Sequence, residues 1–392
     1  MASLQESLHP ILPDDHAEAA LAGRVWLPDV EGPAVVTIRA GNVFDVTKSF
    51  PTMRDLWEVE EPAAELRSTT GMPLGPLDAI LANTPSDSRD RTKPWLLAPI
   101  DLQAIKAAGV TFPVSMLERV IEERARGNPD AANQFRAQVQ ALVGDNLASL
   151  KPGSEKAAAL KKMLLEQGAW SQYLEVGIGP DAEIFTKAQP MAAVGSGMDA
   201  GVHPVSTWNN PEPEVVLAVD STGRIVGATL GNDVNLRDVE GRSALLLSKA
   251  KDNAASAAVG PFIRFFDSTF TLDDIRKMVV TLTVEGVDNY RLEGSSSMAR
   301  IARDPTELAE QLLNAHHAYP DGVVLYLGTM FAPVDDRGAA GKGFTHKTDD
   351  IVAIASPKLG RLVNRIRPTD AVDRWTFGAG ALMRNLAKRG LI

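Results

Sequence analysis

Apolar and polar positions along the chain fall into three regimes. Residues 23–27 and 34–38 are short Val- and Ile-containing runs, and Gly41, Pro51 and Pro62 interrupt the next stretch, so short strands are predicted there rather than long helices. We read residues 1–98 as a small mixed N-terminal domain whose Pro-, Ser- and Asp-rich end, residues 83–93, is a linker. The second regime, residues 99–170, is helical in pattern. Ser115 and Glu118 have the spacing of a capping box, with Gly127 as the stop, and Asn128-Pro129-Asp130 opens a second helix running to about Gly144. Pro152-Gly153-Ser154 opens a third, ending near Gly168, and the three together form a helical lid or insertion.

From Glu183 onward the apolar runs shorten again. Residues 215–219, 224–230, 279–284, 323–327 and 351–355 read as strands, with helical patterns only over 243–257 and 305–316. Long helices between the strands are too few for a doubly wound parallel sheet. The expected fold class is therefore α+β: a predominantly β catalytic domain over residues 99–392 that carries the helical lid, preceded by the small N-terminal domain.

Composition narrows the function classes. The 392 residues are 44% hydrophobic, enough to bury a large core, and the net charge of -10 argues against a nucleic-acid or anionic-membrane partner. Without a cysteine there is no disulfide, no thiolate nucleophile and no sulfur-ligated zinc. The first 13 residues lack the basic start and apolar run of a signal peptide, and no apolar stretch reaches the ~20 residues of a spanning helix. A cytoplasmic protein is expected.

One acidic cluster carries candidate chemistry. Glu212 and Glu214 stand two apart in N-P-E-P-E-V-V-L, so in an extended strand both project to one side. A turn at Ser221-Thr222-Gly223 returns the chain so that Asp233 reaches the pair. Such carboxylates either flank a hard divalent cation or form a solvated acidic edge. Lys251 comes later, in S-K-A-K, and is either a surface amine or one placed to steady a developing enolate. The six histidines lie in irregular contexts or side by side and are read as structural or exposed.

The order E-x-E, N-D-x-x-x-R-D, a lysine before G-P, V-V-L-Y-L-G-T and S-P-K-L-G-R-L-V-N resembles the fumarylacetoacetate hydrolase superfamily over roughly residues 99–365. The resemblance implies that family's β-rich catalytic fold, Mg2+ or Mn2+ held by Glu212, Glu214 and Asp233, and Lys251 as a catalytic amine on the keto or enolate oxygen. It further implies substrate contacts from Arg237, Gly328 and Thr329, and a homodimer or larger homo-oligomer.

Two further segments set the expected reaction. Hydrolytic relatives carry G-x-N-Y-x-x-H-x-x-E on the lid, whereas this chain has Ser115 in the histidine position and keeps Glu118. Loss of the imidazole removes the usual base that activates water. The stretch A-E-I-F-T-K-A-Q-P is similar to one found in dehydratases of 2-keto-3-deoxy sugar acids, which makes Glu183 a candidate acid or base and Lys187 a candidate substrate contact. The resemblance thus implies dehydration of a 2-keto-3-deoxy-pentonate to 2,5-dioxopentanoate. Two alternatives stand beside it: hydrolysis of a 2,4-diketo sugar acid, and a metabolite-binding protein without turnover.

Overall fold

The computed structural model describes residues 4–126, 128, 132, 150–166, 168–331, 333, 335–337 and 343–392. Two sheets organise it. The strands of the larger are β1 (Leu21–Leu27), β2 (Gly32–Arg39), β3 (Asn42–Asp45), β4 (Met72–Pro76), β5 (Trp95–Leu97), β6 (Ala104–Gly109), β7 (Glu183–Ala188), β9 (Pro213–Val219), β10 (Ile225–Asp233), β11 (Ala257–Phe265) and β14 (Val323–Tyr326). These eleven lie in the order β4-β3-β2-β1-β11-β10-β9-β14-β6-β7, with β5 also pairing to β1. The smaller sheet is built from β8 (Asp199–Val202), β12 (Val279–Glu285), β13 (Arg291–Ser297), β15 (Ile351–Ser356) and β16 (Gly360–Pro368), in the order β13-β12-β15-β16-β8.

β9 explains why the sheets stack. All seven of its residues are buried, as expected of an inner strand covered on both faces. Val215, Leu217 and Val219 pack with Val280, Leu282 and Val284 of β12 in the core between the sheets. Val216 and Ala218 point the other way, into a second core with Ile105, Tyr326 and the helix Met53–Trp57. The two-residue period of the strand therefore feeds two cores at once.

Several expectations need revision. The helical regime does not begin at residue 99, because β6 pairs in parallel with β14 from Ala104↔Val323 to Ala107↔Tyr326. Its Ala-rich sequence hid a strand that is buried in the sheet. Residues 83–93 are not a free linker: the Asn83 side-chain amide donates to the carbonyls of Asp90, Lys93 and Pro94, which pins the loop. The pattern over 243–257 resolves into a short 3-10 turn, the helix Leu247–Lys251 and the start of β11. Hydrogen bonding also crosses residue 98, since β1 pairs with β11. The third expected helix is present as Glu155–Glu166. The stop at Gly127 and the helix expected to run to Gly144 lie outside the described residues.

The first lid helix is Pro113–Arg124, with Pro113 at its first turn, where a missing N–H costs nothing. Ser115 and Glu118 are not a capping box, because the helix starts too early. Phe112 is the N-cap, and the Ser115 hydroxyl donates to the Phe112 carbonyl at 2.9 Å. Met116, Val120 and Ile121 fall on one face at helical spacing and pack with Leu164, Tyr173, Leu174 and Ile178 of the helices Glu155–Glu166 and Gln172–Ile178. Among the described residues, no helix is long and apolar enough to cross a membrane.

Candidate active site

The β9–β10 hairpin brings the three acidic residues together. Glu214 lies opposite Gly231, and the Asp233 N–H donates to the Glu212 carbonyl at 3.1 Å, so the backbone ladder itself places Asp233 beside the pair. Glu212, Glu214 and Asp233 are all buried, and each offers an oxygen within 4.8 Å of the others. The solvated acidic edge is thereby excluded.

Neighbouring elements add cations. At the end of its helix, Lys251 reaches Glu212 at 2.6 Å and Asp233 at 3.0 Å, and its ammonium sits 5.5 Å from the Phe185 ring. On β7, Glu183, Phe185 and Lys187 alternate onto one face. Lys187 lies 2.8 Å from the other Asp233 oxygen and donates to the carbonyls of Val234 and Lys251. It is 0% exposed and does not line the cavity, so it braces Asp233 from below and offers no surface to a substrate.

The parallel pairing of β6 with β14 delivers two glycine-containing turns to the same end of the sheet. Gly109, paired with Glu183, leaves room for its carboxylate: a Cβ there would collide with Glu183 Oε2. Gly328 has φ +87, a left-handed backbone that favours glycine, and its N–H donates to Glu214 Oε2 at 2.6 Å. Thr329 and Ser115 also line the cavity, whose volume is about 20 Å³, room for about one water.

Residue patterns alone missed three groups. Arg119 of the lid helix binds Glu212, meets Glu122 at 2.7 Å and meets Glu240 at 2.9 Å. Glu122 in turn holds Arg237 at 2.6 Å, and the Arg237 guanidinium stacks 4.3 Å from the Trp208 ring centre. Arg237 is thus buried behind the lid helix, with Glu118 at 3.6 Å, and neither residue lines the cavity. The available signal was the run Glu118-Arg119…Glu122, charges one helical turn apart.

Charge does not balance in this pocket. Among the described residues, Glu183, Glu212, Glu214, Asp233 and Glu240 line it with only Arg119 and Lys251. Burial pushes the Glu183 carboxyl up to about 7, with Glu240 and Glu212 adding to the rise and Arg119 and Lys251 opposing it. Burial and the nearby Asp233 and Glu212 charges hold Glu214 well above the usual range. Burial would raise Asp233 too, but the ammonium groups of Lys187 and Lys251 outweigh it and hold that carboxyl low. Burial would lower Lys251, yet Asp233 and Glu212 keep it high and charged. An all-oxygen donor set with excess negative charge fits a hard divalent cation.

The chain matches no family model. It is similar to a 2-dehydro-3-deoxy-D-arabinonate dehydratase of Saccharolobus solfataricus, 33% identical over 188 residues, covering 47% of this chain and 58% of that protein. The match therefore spans little more than half of that relative. A probable 2-keto-3-deoxyxylonate dehydratase of Haloferax volcanii is 24% identical over 330 residues, 84% of this chain and 93% of the relative. Among solved structures, 2-keto-3-deoxy-D-arabinonate dehydratase superposes with a TM-score of 0.63 in its apo form, at 21% identity over 89% of this chain and 99% of that one. The form complexed with magnesium and 2,5-dioxopentanoate gives a TM-score of 0.61, at 21% identity and the same coverage. These likenesses show a shared fold, and the resemblance seen in the motifs extends to curated dehydratases.

Proposed function

We propose that the protein is a divalent-metal-dependent hydro-lyase that removes water from a 2-keto-3-deoxy-pentonate to give 2,5-dioxopentanoate. The observation that carries this reading is the buried Glu212–Glu214–Asp233 cluster, with Glu183 beside it in the same cavity and Lys251 bridging two of its carboxylates. The similarity to the archaeal dehydratases supports it from a second direction. When bound, Mg2+ or Mn2+ would sit among these three carboxylates and supply Lewis-acid polarisation of the keto group, which acidifies the C3–H bond.

The chain's own residues then divide the work. Glu183, whose carboxyl is poised near 7, takes the C3 proton and returns it to the C4 hydroxyl, which leaves as water. Loss of a proton from C5 and gain of one at C3 turn the remaining 5-hydroxy enone into a C4=C5 enol, and transfer of the enol O–H proton to C4 gives the aldehyde. Lys251 stays charged and steadies negative charge on the C2 oxygen. Gly328 and Thr329 face the same cavity and orient the substrate carboxylate, while Lys187 and Arg119 hold Asp233 and Glu212 in place. Glu118, turned toward Arg237, is the weaker candidate for the base. Ser115 stands in the cavity wall at the position where the lid motif of hydrolytic relatives has a histidine, and among the described residues no histidine lines that cavity. A cytoplasmic homodimer or larger homo-oligomer completes the reading.

Steady-state assays with Mg2+ on synthetic 2-keto-3-deoxy-pentonates test it. Release of 2,5-dioxopentanoate is expected. Cleavage of a 2,4-diketo acid to pyruvate, with no dioxopentanoate formed, would favour the hydrolase instead, and tight binding without turnover of either would favour a binding protein.

A further inference from the structure

A second cavity, far roomier than the first, lies between β1, β5 and the C-terminal segment that precedes the helix Ala379–Lys388. It measures about 720 Å³, within the range of small-molecule sites, and shares no lining residue with the catalytic cavity. Its character is aromatic and cationic. Trp26 and Trp95 stack with ring centroids 5.7 Å apart, Arg89 covers Trp95 at 5.0 Å, and Trp375 at the rim is 50% exposed.

A buried guanidinium sets the chemistry. Arg24, on β1, is only 5% exposed yet lines this cavity. Its nearest carboxylate, Asp101, is 4.0 Å away, beyond hydrogen-bond reach. Asp101 is already committed, accepting from the backbone N–H groups of Met53 at 2.6 Å and Leu102 at 2.7 Å. Arg24 donates to the Ile100 carbonyl, which carries no charge, so its charge is met only by the long ion pair to Asp101 among the described residues. Burial accordingly holds its pKa below the usual guanidinium range. At the rim, Arg91 and Arg374 have no hydrogen-bond or ion-pair partner among the described residues, whereas Arg89 is paired with Asp373 at 2.8 Å. Four arginines against two carboxylates, Glu31 and Asp373, line one groove of a chain whose net charge is -10.

We propose that this cavity is a binding site for a small organic anion bearing a flat ring, separate from the catalytic centre. The anionic oxygens meet Arg24 and the rim guanidinium groups, which suit planar oxyanions, and the ring lies against the tryptophan wall. A nucleoside phosphate and an aryl carboxylate share this chemistry. The apolar area favours a ringed ligand over a bare ion, because inorganic phosphate would leave the aromatic wall in water.

Tryptophan fluorescence and titration calorimetry on the full-length, Mg2+-supplemented protein test the site, with AMP, benzoate and inorganic phosphate as separate probes. Saturable binding of AMP or benzoate is expected, with inorganic phosphate weaker, and the better of the two names the source. An Arg91→Ala/Arg374→Ala double variant should weaken that binding about tenfold or more, and Trp375→Ala should weaken it as well, both leaving dehydratase turnover unchanged. Arg24→Met removes the buried charge; because it could also unfold the chain, the rim variants carry the decision. The proposal fails if neither ringed anion saturates below about 10 mM or if phosphate alone binds as tightly. It also fails if light scattering shows a dimer that Trp375→Asp dissociates, since the groove would then be occupied by a second copy of this chain.

Discussion

The floor and the roof of the candidate active-site cavity are built differently. In the floor, Glu214 and Asp233 sit on adjacent strands whose ladder fixes their register, and Lys187 and Lys251 close the charge from below and beside. In the roof, Arg119 and Glu122 belong to the helix Pro113–Arg124, which reaches the floor through side-chain ion pairs to Glu212 and Glu240. Backbone pairing places a ligand atom with little freedom, whereas a long side chain holds only as well as its partners do. The floor is accordingly suited to fixed metal ligands, and under the proposed function the roof is the part that yields to admit a pentonate, which is larger than the cavity of about 20 Å³.

The sharpest way to break this contrast is Asp233→Ala. It strips both Lys187 and Lys251 of their shared carboxylate, so we expect turnover to vanish and stability to fall by about 3–5 kcal/mol, the usual cost of leaving buried charges unpaired. Urea unfolding checks it; unchanged stability would mean that charge does not build the floor. Next comes Glu183→Gln, for which we expect kcat to fall about 10²–10⁴-fold while Mn2+ binding and the unfolding temperature hold.

The same residue predicts a pH dependence. With its carboxyl raised from an ordinary 4.5 to about 7, the proton on Glu183 stabilises the fold fully below the ordinary value, and that contribution is lost as pH rises through about 7. The base form appears over the same window, so kcat should rise with pH toward 7, and Glu183→Gln should abolish that limb.

Metal should matter to the floor even without substrate. At about 100-fold above its dissociation constant, Mg2+ should stabilise the protein by about 2.7 kcal/mol, reversibly with a chelator. Calorimetric unfolding with and without the ion measures it, and the increment should vanish in Glu214→Gln. The smallest expected effect belongs to the roof. Arg119→Lys keeps the charge but cannot serve Glu212, Glu122 and Glu240 together, so KM should rise about tenfold, with Mn2+ affinity changed less. An equal loss of metal affinity would show that the roof also builds the metal site.

How far the chain could be read divides along the same line. The alternation of β9 and the turn at Ser221-Thr222-Gly223 were visible in local pattern, and they are what brings Glu212, Glu214 and Asp233 together. β6 was not visible, because its alanines carry little strand character and its partner β14 lies far along the chain. Arg237 looked like a substrate contact from its place in N-D-x-x-x-R-D, yet it is buried against Glu122 and Trp208 behind the lid helix. Lys187 likewise looked like a substrate contact from its place in E-I-F-T-K, yet it is buried among three acceptors and the Asp233 carboxylate.

By itself, the sequence determined the acidic trio and the hairpin that presents it, because both depend on spacing within some twenty residues and on the two-residue period of a strand. It also set the lid position as serine rather than histidine. Only the tertiary structure decided which charges meet across long separations: Arg119 with Glu212, Lys187 with Asp233, and Arg24 with an Asp101 carboxylate no nearer than 4.0 Å. Burial then turned those meetings into chemistry. A carboxyl such as Glu183 acquires a pKa near 7 only when the fold removes water and crowds it with other acids, and no local pattern records that.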